Sequence, residues 1–91
     1  MLNAVKTQKS IDKQISIINY LKKVGLFVQL KAKEQILCNY RLKYKDKGLN
    51  NLAISINQEQ ADPTYTSKSD LAYLFKKLMK IAITYKQQHE E

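Results

Sequence analysis

Lys68, Ser69, Tyr73, Lys76 and Lys77 follow one another closely near the end of the chain, directly after Ser67. Residues of these types hold phosphate oxygens: lysines by charge, serines by donating a hydroxyl proton, a tyrosine by donation or by stacking on a base. Asn50 and Asn51 lie upstream, at the start of another apolar-periodic stretch, where such amides cap a helix or touch a phosphate. Bond-breaking chemistry is less well provided for. His89, the only histidine, stands beside the C-terminus, where a positioned base or metal ligand is not expected. Cys38, the only cysteine, allows no internal disulfide and no cysteine-based zinc cluster, and fits a small core residue. No Gly-rich phosphate loop, carboxylate pair or metal-ligand spacing occurs. Binding without catalysis, cofactor or metal is the expectation.

Charge points the same way. Sixteen basic residues face eight acidic ones, a net charge of +8, and fifteen of the sixteen are lysine. The whole excess lies in Met1–Lys47; from Gly48 onward the charges balance. Such a surplus suits a polyanion, and lysine suits attraction to a backbone better than the forked base reading of arginine. A solvated lysine-rich surface would have the same composition. No apolar run approaches the roughly 18–20 residues of a membrane span, and the polar start lacks the apolar segment of a secretion signal. The cytoplasm is the expected compartment, and one domain the expected organisation for 91 residues.

The elements that must position these residues are helical. Leu71, Leu74, Phe75, Leu78, Ile81, Ala82 and Tyr85 recur at the 3–4 spacing of one helix face, which predicts a helix over 67–88. Lys68, Tyr73, Lys76, Lys77, Lys80 and Lys86 occupy its other side. Ser67 and Asp70 fit a capping box at its start. A first helix is expected after Ser10 as N-cap, burying Ile11, Ile15, Ile18 and Leu21 and stopping at Gly25. Leu26–Leu30 reads as a connector. A second helix over 29–45 would bury Leu30, Leu37, Tyr40 and Tyr44, widened by Ile36 and Leu42. Arg41 lies beside that stripe, its stem buried and its head in water. Asp46-Lys47-Gly48 is a turn, Leu49–Ile56 a short helix, Asn57–Thr66 a polar loop, and Gln87–Glu91 a fraying end. The reading is an all-α bundle of about four helices ending in a helix-turn-helix.

The order of residues also resembles the C-terminal helix-turn-helix domain of the WhiA family of bacterial regulators, known from sporulation and cell division control. Asn3, Lys6-Thr7 and Gln14-Ile15 fit the family's N-x-x-K-T and R-Q-I, with Lys13 in the arginine position. Gly25-Leu26 fits its G-L. Arg41-Leu42, Asp46, Leu49 and Leu52 match its R-L, D, S-L and L. Lys68-Ser69 matches the K-S that opens the recognition helix, and Lys77-Leu78 a later K-L. Three departures stand out. The family's Asn, His and Arg positions after K-S are occupied by Ala72, Tyr73 and Leu74, so side chains suited to base edges are lost. The loop before the last helix is longer. The endonuclease-like N-terminal domain of WhiA proteins is absent, so the chain is expected to be a fragment of a longer protein.

The resemblance implies a DNA-binding domain of a transcription regulator. Ser67, Lys68, Ser69, Tyr73, Lys76 and Lys77, with Asn50 and Asn51, would meet double-stranded DNA, and the regulator's own N-terminal domain is a further expected partner. Lys22, Lys23, Lys43, Lys45 and Lys47 would widen the positive field. Tyr73 reads equally as the edge of the core. A protein-interaction module on the same scaffold is the rival, docking through an exposed patch at Leu26, Phe27 and Val28.

Overall fold

The computed structural model describes residues 2–89, with side chains from residue 8 onward. Four α-helices and one short 3₁₀ turn make up the fold, and no strand occurs among the described residues: α1 (Leu2–Val24), the turn Phe27–Gln29, α2 (Ala32–Lys43), α3 (Leu49–Gln60) and α4 (Lys68–His89). The all-α reading holds.

The first helix starts well before Ser10, the expected N-cap. Residues 2–24 contain neither glycine nor proline, so nothing interrupts the helix, and Ser10 sits exposed in its middle. Ile11, Ile18 and Leu21 are buried as expected, while Ile15 is half-buried. Gly25 ends the helix at φ 82. Leu26 N–H bonds Leu21 O at 2.9 Å and Gly25 N–H bonds Lys22 O at 3.3 Å, the paired pattern of a left-handed cap.

α2 is shorter than expected at both ends. Glu34 Oε1 accepts the Lys31 N–H at 3.1 Å, and the Gln35 side chain donates to Leu30 O at 2.8 Å, so the chain turns into the helix only at Ala32. Of the expected stripe, Leu37 is buried, Leu30, Tyr40 and Tyr44 are half-buried, and Ile36 is exposed; Arg41 beside it is buried whole. Cys38 is a core residue with no exposure, and burial pushes its thiol up to about 12. A thiolate is the reactive form, so a native thiol reagent should label Cys38 only as fast as the domain opens. Labelling of the folded protein at the rate seen in urea would contradict this placement.

α3 runs past Ile56 to Gln60, where Ala61 adopts φ 54, ψ 35. Asp62 N–H bonds Asn57 O at 3.0 Å and Ala61 N–H bonds Gln58 O at 3.2 Å, repeating the cap of α1 with an alanine in the glycine position. Left-handed backbone disfavours a Cβ. Ala61→Gly is therefore expected to add about 1 kcal/mol of stability, read as a rise of about 4–8 °C in Tm for a domain of this size. A lower Tm would show that the alanine methyl contributes more than its backbone costs.

α4 is the centre of the molecule and packs against both α1 and α3. It buries Leu71, Leu74, Phe75, Leu78 and Ala82 against Ile18, Leu21, Leu37, Leu52 and Ile56, with Ile81 partly buried beside them. Tyr85 is half-buried and meets Tyr20 of α1 edge to face at 6.3 Å between ring centroids. Helical structure continues through His89, whose ring stacks on Tyr85 at 4.2 Å, in the segment from Gln87 onward expected to fray. Glu90 and Glu91 lie outside the described residues.

Candidate nucleic-acid interface

Between α3 and α4 the chain makes a seven-residue connection fastened by one side chain. Asn57 Nδ2 donates to Pro63 O at 3.1 Å and to Thr66 O at 2.9 Å, and Asn57 Oδ1 accepts the Thr66 N–H at 2.9 Å. Asp62 Oδ1 accepts the Thr64 N–H and hydroxyl within the same turn. The long loop is thereby held as a compact one, with Thr66 buried. Ser67 follows as the cap of α4: its Oγ accepts the Asp70 N–H at 3.1 Å. That hydroxyl arm of the expected capping box is present. Of the eight candidate residues, Ser67 is the one whose side-chain acceptor serves the helix itself.

From this fixed start, α4 presents Lys68, Ser69, Ala72, Tyr73, Lys76 and Lys80 to solvent. Ser69, Ala72, Tyr73, Lys76 and Lys80 fall at helical spacing along one stripe. Tyr73 is 72% exposed, so its ring is not a core edge. Leu74 turns the other way and is 4% exposed. Lys77 is half-buried, and its Nζ meets Glu34 of α2 at 2.9 Å. A hydrogen bond from Lys77 holds the Glu34 carboxyl below its ordinary value and keeps the Lys77 ammonium above its own. Lys77 thus sits on the α2 side of the helix, apart from the Ser69 stripe.

Asn50 and Asn51 are exposed in the first turn of α3. Neither caps it: the N-cap is Gly48, with no side-chain bond to the helix amides. They and Lys68, Tyr73 and Lys76 of α4 open onto two adjoining clefts of about 600 and 630 Å³; Ser67, Ser69 and Lys77 line neither. Arg41, Asn50, Asn51 and Lys68 line the first; Lys13, Tyr73 and Lys76 line the second; Ser10, Gln14 and Leu49 are common to both. Four cations and no carboxylate are found among the described residues lining the pair. Five of the eight candidate residues meet here.

Lys13, Gln14 and Arg41 were not candidates on sequence, although all three lie in segments that carry the family resemblance. Arg41 corrects its expected placement, since the head as well as the stem is withdrawn from solvent. Its Nη1 donates to Lys47 O at 2.7 Å and Tyr44 O at 3.2 Å, which draws the linker after α2 around the guanidinium. Burial pulls the guanidinium below its ordinary value, with Asp46 opposing. The rival docking patch is reduced: Leu26 and Phe27 pack partly buried against the core, and Val28 alone is well exposed, at 75%.

A bracing helix, a fastened turn and a helix with exposed polar opening turns define a helix-turn-helix domain, a class that binds DNA. The chain belongs to the WhiA C-terminal HTH domain family, whose model matches residues 1–82. No curated protein and no solved structure matches the chain. No helix among the described residues is long and apolar enough to cross a membrane.

Proposed function

We propose that this domain docks on duplex DNA as the DNA-binding part of a WhiA-like bacterial transcription regulator, and that it holds the phosphate backbone more than it reads bases. The observation that carries this reading is the paired cleft with four cations and no carboxylate among its described lining residues, bordered by the opening turns of α4. Lys68, Ser69 and Lys76 contact phosphates; Tyr73 lies against the backbone or a base edge; Asn50 and Asn51 hold the flanking strand. Lys77, engaged by Glu34, contributes field rather than contact. Ser67 acts through the helix it caps.

Base reading has little material. Ala72 carries no polar group and Leu74 is buried, so the helix offers few donors or acceptors to a groove edge. Affinity should therefore be governed by counterion release and vary little between sequences. Fluorescence anisotropy against a mixed-sequence duplex at several salt concentrations tests this. If each of the four cleft cations, Lys13, Arg41, Lys68 and Lys76, neutralises one phosphate, the slope is about −4 in log K against log salt. A slope near zero, or no binding at low salt, would overturn the reading.

A further inference from the structure

The buried guanidinium of Arg41 is only half used. Nη1 is bonded to two carbonyls, whereas Nε and Nη2 are buried without a hydrogen-bond partner. No ion pair to Arg41 occurs among the described residues. A charge withdrawn from water in this way is costly unless an anion meets it. Arg41 lines the first cleft together with Gly48, Leu49, Asn50 and Asn51, the N-terminus of the twelve-residue α3. A serine or aspartate at the N-cap would occupy the free amides of that turn; Gly48 brings no such acceptor. Gly48 has φ −65, which any residue adopts, so glycine is not required there by its backbone. Lys68 reaches the same cleft from α4. Gln14 Oε1 is likewise buried without a partner, and a half-turn of its amide would add a donor.

We infer that this cleft is a built anion site that takes one phosphate group, held by Arg41 Nε and Nη2, the opening amides of α3 and Lys68. Helix amides and an arginine fork complement a tetrahedral oxyanion in both charge and geometry. The inference deepens the DNA reading and rests on it for the source of the phosphate, a backbone phosphodiester. The alternative source is a free phosphate or a phosphorylated small molecule. With DNA, α3 would clamp one phosphate at a fixed point while the α4 lysines attract its neighbours.

Nitrogen-15 NMR of the full chain tests both parts. Inorganic phosphate, titrated at constant ionic strength, and a mixed-sequence duplex are added separately. The amides of Leu49, Asn50 and Asn51 and the Arg41 Nε–H are followed. Because Arg41 also ties down the linker, its substitution can unfold the domain, so Gly48→Asp is the variant of choice. It places a carboxylate where the phosphate would sit and supplies a cap, and a preserved Tm reports an intact fold. Shifts from both ligands that vanish in Gly48→Asp, with duplex affinity lowered about ten- to hundredfold, support the inference. Duplex binding that leaves these signals unmoved overturns the phosphate site and spares the DNA reading. Phosphate binding here without duplex binding supports the site for a free ligand and overturns the DNA reading. Silence with both ligands overturns both.

Discussion

Lys68→Glu combined with Lys76→Glu is expected to abolish duplex binding at 0.1 M salt. Each lysine sits on one of the two adjoining clefts, and both are exposed on α4. Near that salt concentration one phosphate contact is worth about a decade of affinity, so losing two removes about a hundredfold. Reversing the sign adds repulsion at close range and carries the loss to about a thousandfold. The salt slope should fall by about two as well, which separates lost contacts from a general loss of charge. Lys23→Glu combined with Lys86→Glu makes the same change in net charge at exposed sites outside these clefts. It should cost much less affinity and leave most of the slope. Equal losses from the two pairs would mean that the whole field, and not this face, attracts the DNA. Circular dichroism of both variants should match the parent, because none of the four residues is buried.

Asn57→Ala has the largest expected effect on stability. Three hydrogen bonds disappear at once, and two of the groups they served belong to Thr66, which is buried. Leaving buried backbone groups unpaired costs about 1–3 kcal/mol apiece, so a loss of about 3 kcal/mol is expected in urea unfolding. Asn57→Asp should be nearly as damaging. It keeps an acceptor for the Thr66 N–H but turns a carboxylate toward the carbonyls of Pro63 and Thr66. Asp62→Asn, in the same turn, keeps an acceptor for Thr64 and should cost well under 1 kcal/mol. Because Asn57 sets where Ser67 and Lys68 begin α4, its variants should also bind DNA more weakly than their folded fraction explains. An Asn57→Ala domain as stable as its parent would mean that water replaces the staple without loss.

The course of α4 was legible in the sequence because its apolar period is long and its cap is local. Ser67 needs only the Asp70 amide three residues on, and seven apolar positions at one spacing outweigh any tertiary surprise. The start of α1 was misplaced for the opposite reason. Ser10 looks like a cap, but a serine also rides inside a helix when no glycine or proline ahead of it breaks the run. The loop after Ile56 was read as longer than it is. Asn57 resembles a helix breaker by type, and only the folded chain shows its side chain reaching across to Pro63 and Thr66.

The candidate site was half legible as an arrangement of residues. Lysines and a tyrosine on an amphipathic helix announce themselves by periodicity, whereas the partners from α1 and α2 depend on how the helices cross. Lys13 and Gln14 entered only as positions of the family motif, and nothing in their spacing tied them to the opening turns of α4 across the cleft they line. Arg41 read as a snorkelling arginine, because sequence spacing gives the direction of a side chain but not the depth of what covers it. The signal that could have raised it is its singularity. One arginine among fifteen lysines, placed on a buried stripe, marks a position where a planar fork is needed and a flexible ammonium would not serve.

Leu74 is a small detail of the core with a wider consequence. Leu74 stands where the resemblance places a polar side chain in the family, and here that position is spent on the hydrophobic interior, a gain in packing that cannot be returned to a groove. On the proposed reading, a domain built this way would supply residence time on DNA and little address. Selecting a locus then becomes a matter of valency: a second contact elsewhere raises the local concentration of this one, and the two together discriminate where neither does alone. On such a division of labour, the sharpest measure of the domain is how long it holds a duplex to which something else has already brought it.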